Sequence, residues 1–338
     1  MKPTISIVIP TKGRIECVNA LAADLTTSAG YSSDKVSITV LDNATPSASY
    51  DLPKEVRLIV RSKSVSAIEN ILSGASICHG LYSWIIGDDD AFSRDIFARV
   101  FELINESEPG IIRLKHQYIE TDDVIRSYEV KPGNQTFQNE YNNLFDWHCF
   151  SPSGINAYED KAGFISGNII RSDILEESLR VTRISINPVV YARNIYITKL
   201  YAVLALHLTG GYWASKEILV RQRIPIKGRY FAESGSIQFQ SFVEAPAEVY
   251  RACIKFSRSY ARLLLSIHFS KKVDYIQAAA SDVPMTQCLG YIAQNFFYMG
   301  VYAGGQEFRR CLTAYLCRFF AKAKAFVRRI IKKMYITV

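Results

Sequence analysis

The 338 residues are 49% hydrophobic and 21% charged, enough apolar chain to bury a substantial core and far from the composition of a disordered protein. The formal net charge of +8 is concentrated at one end. Residues 308–338 hold nine of the 40 Lys and Arg and no Asp or Glu, which leaves 31 basic against 32 acidic residues before them. Nucleic-acid enzymes spread positive charge over a working face, so this asymmetry argues against that class.

Seven cysteines are scattered without a CxxC pair, which gives neither a disulfide framework nor a zinc site and fits a reducing compartment. The apolar run after Lys2 is too short for a signal peptide. The 24 residues from Val283 to Gln306 carry no charge but include Pro284, Gln287, Gln294 and Asn295, so they read as buried or interfacial rather than membrane-spanning.

In chain order, Ile5 to Ile9 is a short apolar run stopped by Pro10 and reads as a buried strand. A helix is expected over 15–29, strands at Val36–Leu41 and Val56–Val60, and helical spacing links Val65, Ile68, Ile71, Leu72 and Ala75. Tyr82 to Ile86 is the next strand, ending in Gly87 and three aspartates, and Ile96 to Ile104 is helical again. This alternation predicts an α/β fold with a mostly parallel sheet and helices on both faces. Further strands are expected at Ile111–Lys115, Arg126–Val130, Phe164–Ile170 and Ile218–Arg221, a loop at 132–143, and a helix from Tyr196 to Leu208. The organisation implied is a catalytic domain over 1–230, a helical region over 246–306 and a basic amphipathic helix over 307–338.

Ligands of open parallel sheets bind where strand carboxyl ends converge. Three such ends carry polar residues here: Pro10 to Arg14, Asp42-Asn43 and Asp88-Asp89-Asp90. Asp122-Asp123 lies in a polar stretch with no buried strand before it and reads as surface. Clustered carboxylates at a rigid strand end suit a hard cation, Mn²⁺ or Mg²⁺, that neutralises a leaving diphosphate.

Four segments then show a resemblance. The run from Ile5 to Arg14, I-S-I-V-I-P-T-K-G-R, resembles the S-I-V-I-P-T-Y-N-R opening of family 2 glycosyltransferases. Val40 to Asn43 is similar to that family's second strand, Ser66 to Asn70 to its S-A-A-R-N helix start, and Tyr82 to Asp90 to the W-x-x-G-D-D-D form of its DxD motif, found in abequosyltransferase-like enzymes of bacterial surface polysaccharides. The match covers residues 4–100 well and 160–225 loosely.

The resemblance implies a GT-A fold, with a nucleoside-diphosphate sugar (UDP, GDP, dTDP or CDP type) as donor and a lipid-linked glycan of the O-antigen or capsule kind as acceptor. It implies that Pro10, Thr11 and Arg14 line the nucleotide pocket and that Asp42 accepts from the base. Asn70, Asp88 and Asp89 would lie by the diphosphate, ribose or sugar, and Asp90 with Asp88 would hold the metal, joined by His148.

Two departures stand out. Lys12-Gly13 replaces Tyr-Asn, and no carboxylate stands between Arg193 and Tyr196, where inverting members place their base. Asp160 and Asp146, then Glu159 and Glu217, are the acids left as candidates. A sugar-phosphate nucleotidyltransferase, or a non-catalytic relic serving other polysaccharide-assembly enzymes, are the alternatives.

In the tail, apolar residues including Phe319, Phe320 and Ile330 follow a helical rhythm, while Arg328, Arg329, Lys332 and Lys333 lie mainly on the other face. Basic amphipathic helices of this kind lie in anionic membrane surfaces. The expected location is cytoplasmic, peripheral on the inner face of the cell membrane.

Overall fold

The computed structural model describes residues 2–45, 49–130, 137–140, 164–185, 205, 208–209 and 212–224. The chain divides into two compact units, Met1–Ala232 and Glu233–Val338, and every described residue belongs to the first.

The apolar run at the start forms β1 (Ile5–Thr11), followed by α1 (Ile15–Thr26), β2 (Val36–Asp42) and β3 (Val56–Val60). Then come α2 (Ala67–Ile77), β4 (Tyr82–Ile85), the two-residue β5 (Ala91–Phe92), α3 (Ile96–Ser107) and β6 (Ile111–Glu120). The remainder is β7 (Phe137–Glu140), a 3-10 turn at Ile165–Gly167, β8 (Asn168–Arg171), α4 (Ser172–Ser185) and β9 (Tyr212–Ile224).

One sheet takes them all in the order β3-β2-β1-β4-β8-β6-β9-β5, with β7 also on β9. The sheet is less parallel than the alternation predicts. β3, β2, β1 and β4 run parallel, as do β6 and β9, but β8 is antiparallel to both its neighbours and β5 and β7 are antiparallel to β9. An apolar run reveals that a strand is buried and not which way it points, so this half of the topology was invisible in the residues.

Alternation along β1 divides the layers. Ile5, Ile7 and Ile9 join a core with Val18, Leu21 and Leu25 of α1 and Phe97 and Val100 of α3. Val8 and Pro10 instead face Gly74 of α2 on the other side. Helices α2 and α4 also pack against β4. Trp84 is fully buried, its ring edge-on to Phe92 at 4.9 Å and to Phe97 at 6.4 Å. A buried indole of this kind costs about 3–5 kcal/mol to truncate, so it fixes the sheet and α3 together.

Four expectations change. The strand expected at Arg126–Val130 makes one bridge, Tyr128 to Ser93, and is otherwise tied by side chains: Arg126 to the Ala20 carbonyl and Tyr128 to the Ile218 carbonyl. β7 forms inside the polar stretch expected to be loop, because backbone pairing to β9 needs no apolar signal. The strand expected from Phe164 begins only at Asn168, after the 3-10 turn, and α4 had not been expected. Ala205, Leu208 and Thr209 are helical, and the rest of the Tyr196–Leu208 helix lies outside the described residues, as do the segments 246–306 and 307–338. Among the described residues no helix is long and apolar enough to cross a membrane.

Gly30 makes the turn after α1 fit against α3. Its φ is +85°, and an added Cβ would lie 2.6 Å from the Ala98 backbone nitrogen. Gly30→Ala therefore combines left-handed strain with a backbone clash and should cost about 2–4 kcal/mol. The expected outcome is a lower urea midpoint at unchanged m-value; an unaltered midpoint would refute the close approach.

Candidate functional site

The parallel register sets the site. Thr11 lies beside Asp42 across β1 and β2, and Asp42 beside Val60 across β2 and β3, so three strands finish along one edge. β4 runs parallel on the other side of β1 and delivers Gly87 and the three aspartates to the same edge.

Thr11 and Arg14 meet the aspartates there. Thr11 Oγ1 donates to Asp88 Oδ2 at 2.6 Å, and Arg14 Nη1 donates to Asp88 Oδ1 at 2.9 Å and to Asp89 Oδ2 at 2.7 Å. Arg14 is also the residue that precedes α1, yet its side chain makes no capping bond and turns to the carboxylates instead. From the far half of the sheet, Arg223 on β9 brings Nη2 to Asp89 Oδ2 at 3.3 Å. Its Nη1 donates to the backbone carbonyl of Asp122 at 3.0 Å, and Asp122 and Asp123 are themselves exposed as the sequence implies.

Asp90 turns the other way, into the fold. Its Oδ2 accepts from Ser166 Oγ at 2.5 Å, and the same hydroxyl accepts from the Gly87 backbone N–H at 2.7 Å. Ser166 is in turn fixed by its carbonyl, which accepts from Trp84 Nε1 at 2.9 Å. The conspicuous tryptophan of the motif thus reaches the aspartates through one serine.

Burial shifts Asp88 and Asp90 upward. The Asp88 carboxyl is raised by desolvation, opposed by Arg14 and Thr11. Asp90, 5% exposed, is pushed up to about 7 by burial, which the Ser166 hydrogen bond only partly offsets.

Asp42 is fully buried, and both its oxygens serve the loop behind it. Oδ1 accepts from Thr45 Oγ1 at 2.7 Å and Oδ2 from the Thr45 backbone N–H at 3.0 Å. Thr45 Oγ1 accepts in turn from the Gly13 backbone N–H at 3.0 Å, joining the loops after β1 and β2. Tyr50 lies close by, its phenol pushed up to about 12 by burial and the Asp42 charge. Lys12, standing where the resemblance has Tyr, reaches Ser64 Oγ at 3.0 Å.

Not every expected residue joins. Asn70 is spent within the fold, its Oδ1 accepting from Arg61 Nε at 2.8 Å and its Nδ2 donating to the Leu41 carbonyl at 3.2 Å. Pro10 faces α2 rather than the aspartates. Glu217 lies 3.9 Å from Arg99 of α3 and lines a cleft of about 400 Å³ with Lys115, Tyr128 and Arg221, whose guanidinium stacks 3.8 Å over the Tyr128 ring. Asp146, His148, Glu159 and Asp160 lie outside the described residues. Ser166 and Thr45 were missed: each is an ordinary hydroxyl in its own sequence context.

Carboxylate oxygens are the right chemistry for Mn²⁺ or Mg²⁺. Their arrangement is not. Asp88 is engaged by Thr11 and Arg14, Asp89 by Arg14 and Arg223, and Asp90 by Ser166. Among the described residues no three His, Cys, Asp or Glu side chains converge as a metal site. As arranged, the described residues do not fit the expected cation, because two guanidinium groups hold the positions beside Asp88 and Asp89.

No protein-family model matches the chain, and no curated protein matches it. Solved structures do. S. aureus TarS residues 1–349 in complex with UDP superposes with a TM-score of 0.56 at 11% identity, over 93% of this chain and 91% of that one. A second structure of TarS residues 1–349 gives 0.56 at 10% identity over the same shares. A longer TarS chain gives 0.55 at 11% identity over 88% of this chain and 54% of that one. The likeness is one of fold: these structures share the mixed sheet with its helices.

The raised Asp90 carboxyl has a consequence for stability. Because the folded state binds this proton more tightly than the unfolded chain, the contribution is full below the ordinary carboxylate value and is lost as pH rises through about 7. Asp90→Asn removes the titration. Between pH 5 and pH 8 the stability difference between variant and wild type should move by about 2–3 kcal/mol in favour of the variant. Urea unfolding at both pH values measures it, and parallel pH profiles would show that Asp90 is not held neutral by burial.

Proposed function

We propose that the protein is a glycosyltransferase that takes a sugar from a nucleoside-diphosphate donor. The observation that carries this is the meeting of Thr11, Arg14, Asp88, Asp89 and Arg223 at the shared end of β1 and β4, beside the locked loop of Asp42 and Thr45. Acidic and basic groups interleaved on a rigid strand edge suit a ligand that has both hydroxyls and phosphates: carboxylates accept from ribose or sugar hydroxyls, and guanidiniums donate to phosphate oxygens. The bound UDP of TarS, on the same fold, supports a nucleotide ligand.

In this reading the base lies against the loop held by Asp42, Thr45 and Gly13, and Asp88 receives a hydroxyl of the ribose or donor sugar. Asp90 acts from behind, through the Ser166 contact that sets the turn. The acceptor is a lipid-linked glycan of a bacterial surface polysaccharide, such as O-antigen or capsule. The basic tail, by its composition, holds the enzyme on the cytoplasmic face of the membrane. Mn²⁺ or Mg²⁺, expected from the resemblance, takes no step here, and the assay is run both with Mn²⁺ and with EDTA.

Release of sugar or nucleotide from a panel of UDP-, GDP-, dTDP- and CDP-sugars tests the activity. Asp88→Asn should lower kcat/KM about 100-fold or more while leaving the thermal unfolding profile cooperative. If the full chain turns over no donor under either condition, the glycosyltransferase reading is lost.

The tail makes its own prediction. Each large apolar side chain buried in the interface contributes roughly 1.5–3 kcal/mol before ordering costs, and each nearby Lys or Arg about 1 kcal/mol on an anionic surface. Phe319→Ser, Phe320→Ser and Ile330→Ser combined should reduce co-sedimentation with anionic vesicles at least tenfold, at low salt as well as high. Equal pelleting of variant and wild type would mean that the helix does not dock on the membrane through these side chains.

A further inference from the structure

Asp89 Oδ2 is shared by two cations. Arg14 Nη1 donates to it at 2.7 Å and Arg223 Nη2 at 3.3 Å, one from the loop after β1 and the other from the far strand β9. A single anionic oxygen between two guanidiniums is the environment a phosphate oxygen seeks, and Arg-phosphate pairing is among the strongest charge-assisted contacts available.

The two arginines are held without Asp89. Arg14 keeps its bond to Asp88 Oδ1 at 2.9 Å, and Arg223 keeps the carbonyl of Asp122 on Nη1 at 3.0 Å. Withdrawal of Asp89 therefore leaves both guanidiniums in place, Arg14 still paired with Asp88 and Arg223 held by a neutral carbonyl. Arg14 is also reachable, its side chain 47% exposed, whereas the side chains of Asp89 and Arg223 are 14% and 11% exposed beneath the rim.

Charge balance points the same way. Two guanidiniums offset two carboxylates, Asp88 and Asp89, so a divalent cation entering here would meet Arg14 and Arg223 as like charges. A diphosphate that displaces the Asp89 carboxylate would meet them as partners and the aspartates as like charges, so the seat stands on the guanidinium contacts outweighing that repulsion.

We propose that Arg14 and Arg223 form the seat of the donor's diphosphate, and that Asp89 occupies this seat as a stand-in anion until a diphosphate displaces it. The inference rests on the nucleotide-donor reading above and deepens it. Three consequences separate it from a metal-held diphosphate. Binding needs no divalent cation, a nucleoside without phosphates cannot open the seat, and removing the Asp89 charge makes the seat easier to fill.

The test uses the full chain and titration calorimetry in EDTA with UDP, GDP, dTDP and CDP, followed by the nucleoside of whichever binds best. Wild type should bind that diphosphate at least tenfold tighter than its nucleoside. Arg14→Ala and Arg223→Gln should each weaken the diphosphate about tenfold or more and leave the nucleoside within about twofold. Asp89→Asn should tighten the diphosphate several-fold. The half-exposed Arg14 and the isosteric Asp89→Asn keep the test standing if Arg223→Gln fails to fold. Diphosphate binding that appears only with Mn²⁺ or Mg²⁺, or that Asp89→Asn weakens, would overturn the seat while leaving the donor reading intact. Failure of wild type to bind any of the four, with or without metal, would overturn the donor reading and the seat together.

Discussion

Three consecutive carboxylates at the end of a buried strand repel one another and lose hydration, and the rest of the site is arranged around that cost. Each is compensated by a different device. Asp88 takes a hydroxyl and a guanidinium, Asp89 takes two guanidiniums, and Asp90 takes a serine and rises toward neutrality. Removing a charge from water without a partner costs far more than a net hydrogen bond returns. The positions of Thr11, Arg14, Ser166 and Arg223 are therefore constraints on the fold as well as candidates for function.

The two halves of the sheet contribute unequally. The parallel half, β3 to β4, carries the ends of β1, β2 and β4 to one edge and supplies Thr11, Arg14 and the aspartates. The mixed half supplies what holds them: Ser166 just before β8 and Arg223 near the end of β9. Trp84 couples the two by packing in the core while donating to the Ser166 carbonyl. A rigid apolar anchor with one polar arm is the kind of support that keeps a polar site in register.

What could be read from the residues was what is local. The run from Ile5 to Ile9, its stop at Pro10, and the aspartates after Tyr82 to Ile86 are contiguous signals, and the structure keeps them as strand ends on one edge. Arg14 was legible as a candidate because it belongs to the same short motif. Ser166 and Arg223 act across 76 and 134 residues; nothing in Ile165 to Gly167 names its partner, and Arg221 and Arg223 after Ile218 read only as arginines that face a diphosphate or cap the sheet. Strand direction was hidden for a related reason, because Asn168 to Arg171 reads the same whether it lies parallel or antiparallel to β4. Asn70 shows the converse: it fits a motif, and in the fold its amide serves Arg61 and the Leu41 carbonyl.

The distance between Asp89 and Arg223 also sets an order of events during synthesis. The parallel strands β1 to β4 are complete when fewer than ninety residues have emerged and pair with one another, while β4 still lacks its neighbour β8. Arg223 leaves the ribosome more than a hundred residues later, some seconds at ordinary elongation rates of about 5–20 residues per second. Until then the nascent domain carries an acidic edge with one of its two guanidiniums missing. That edge is water-exposed and self-repelling for as long as β9 is absent, and a like-charged rim is a poor place for two unfinished chains to stick together.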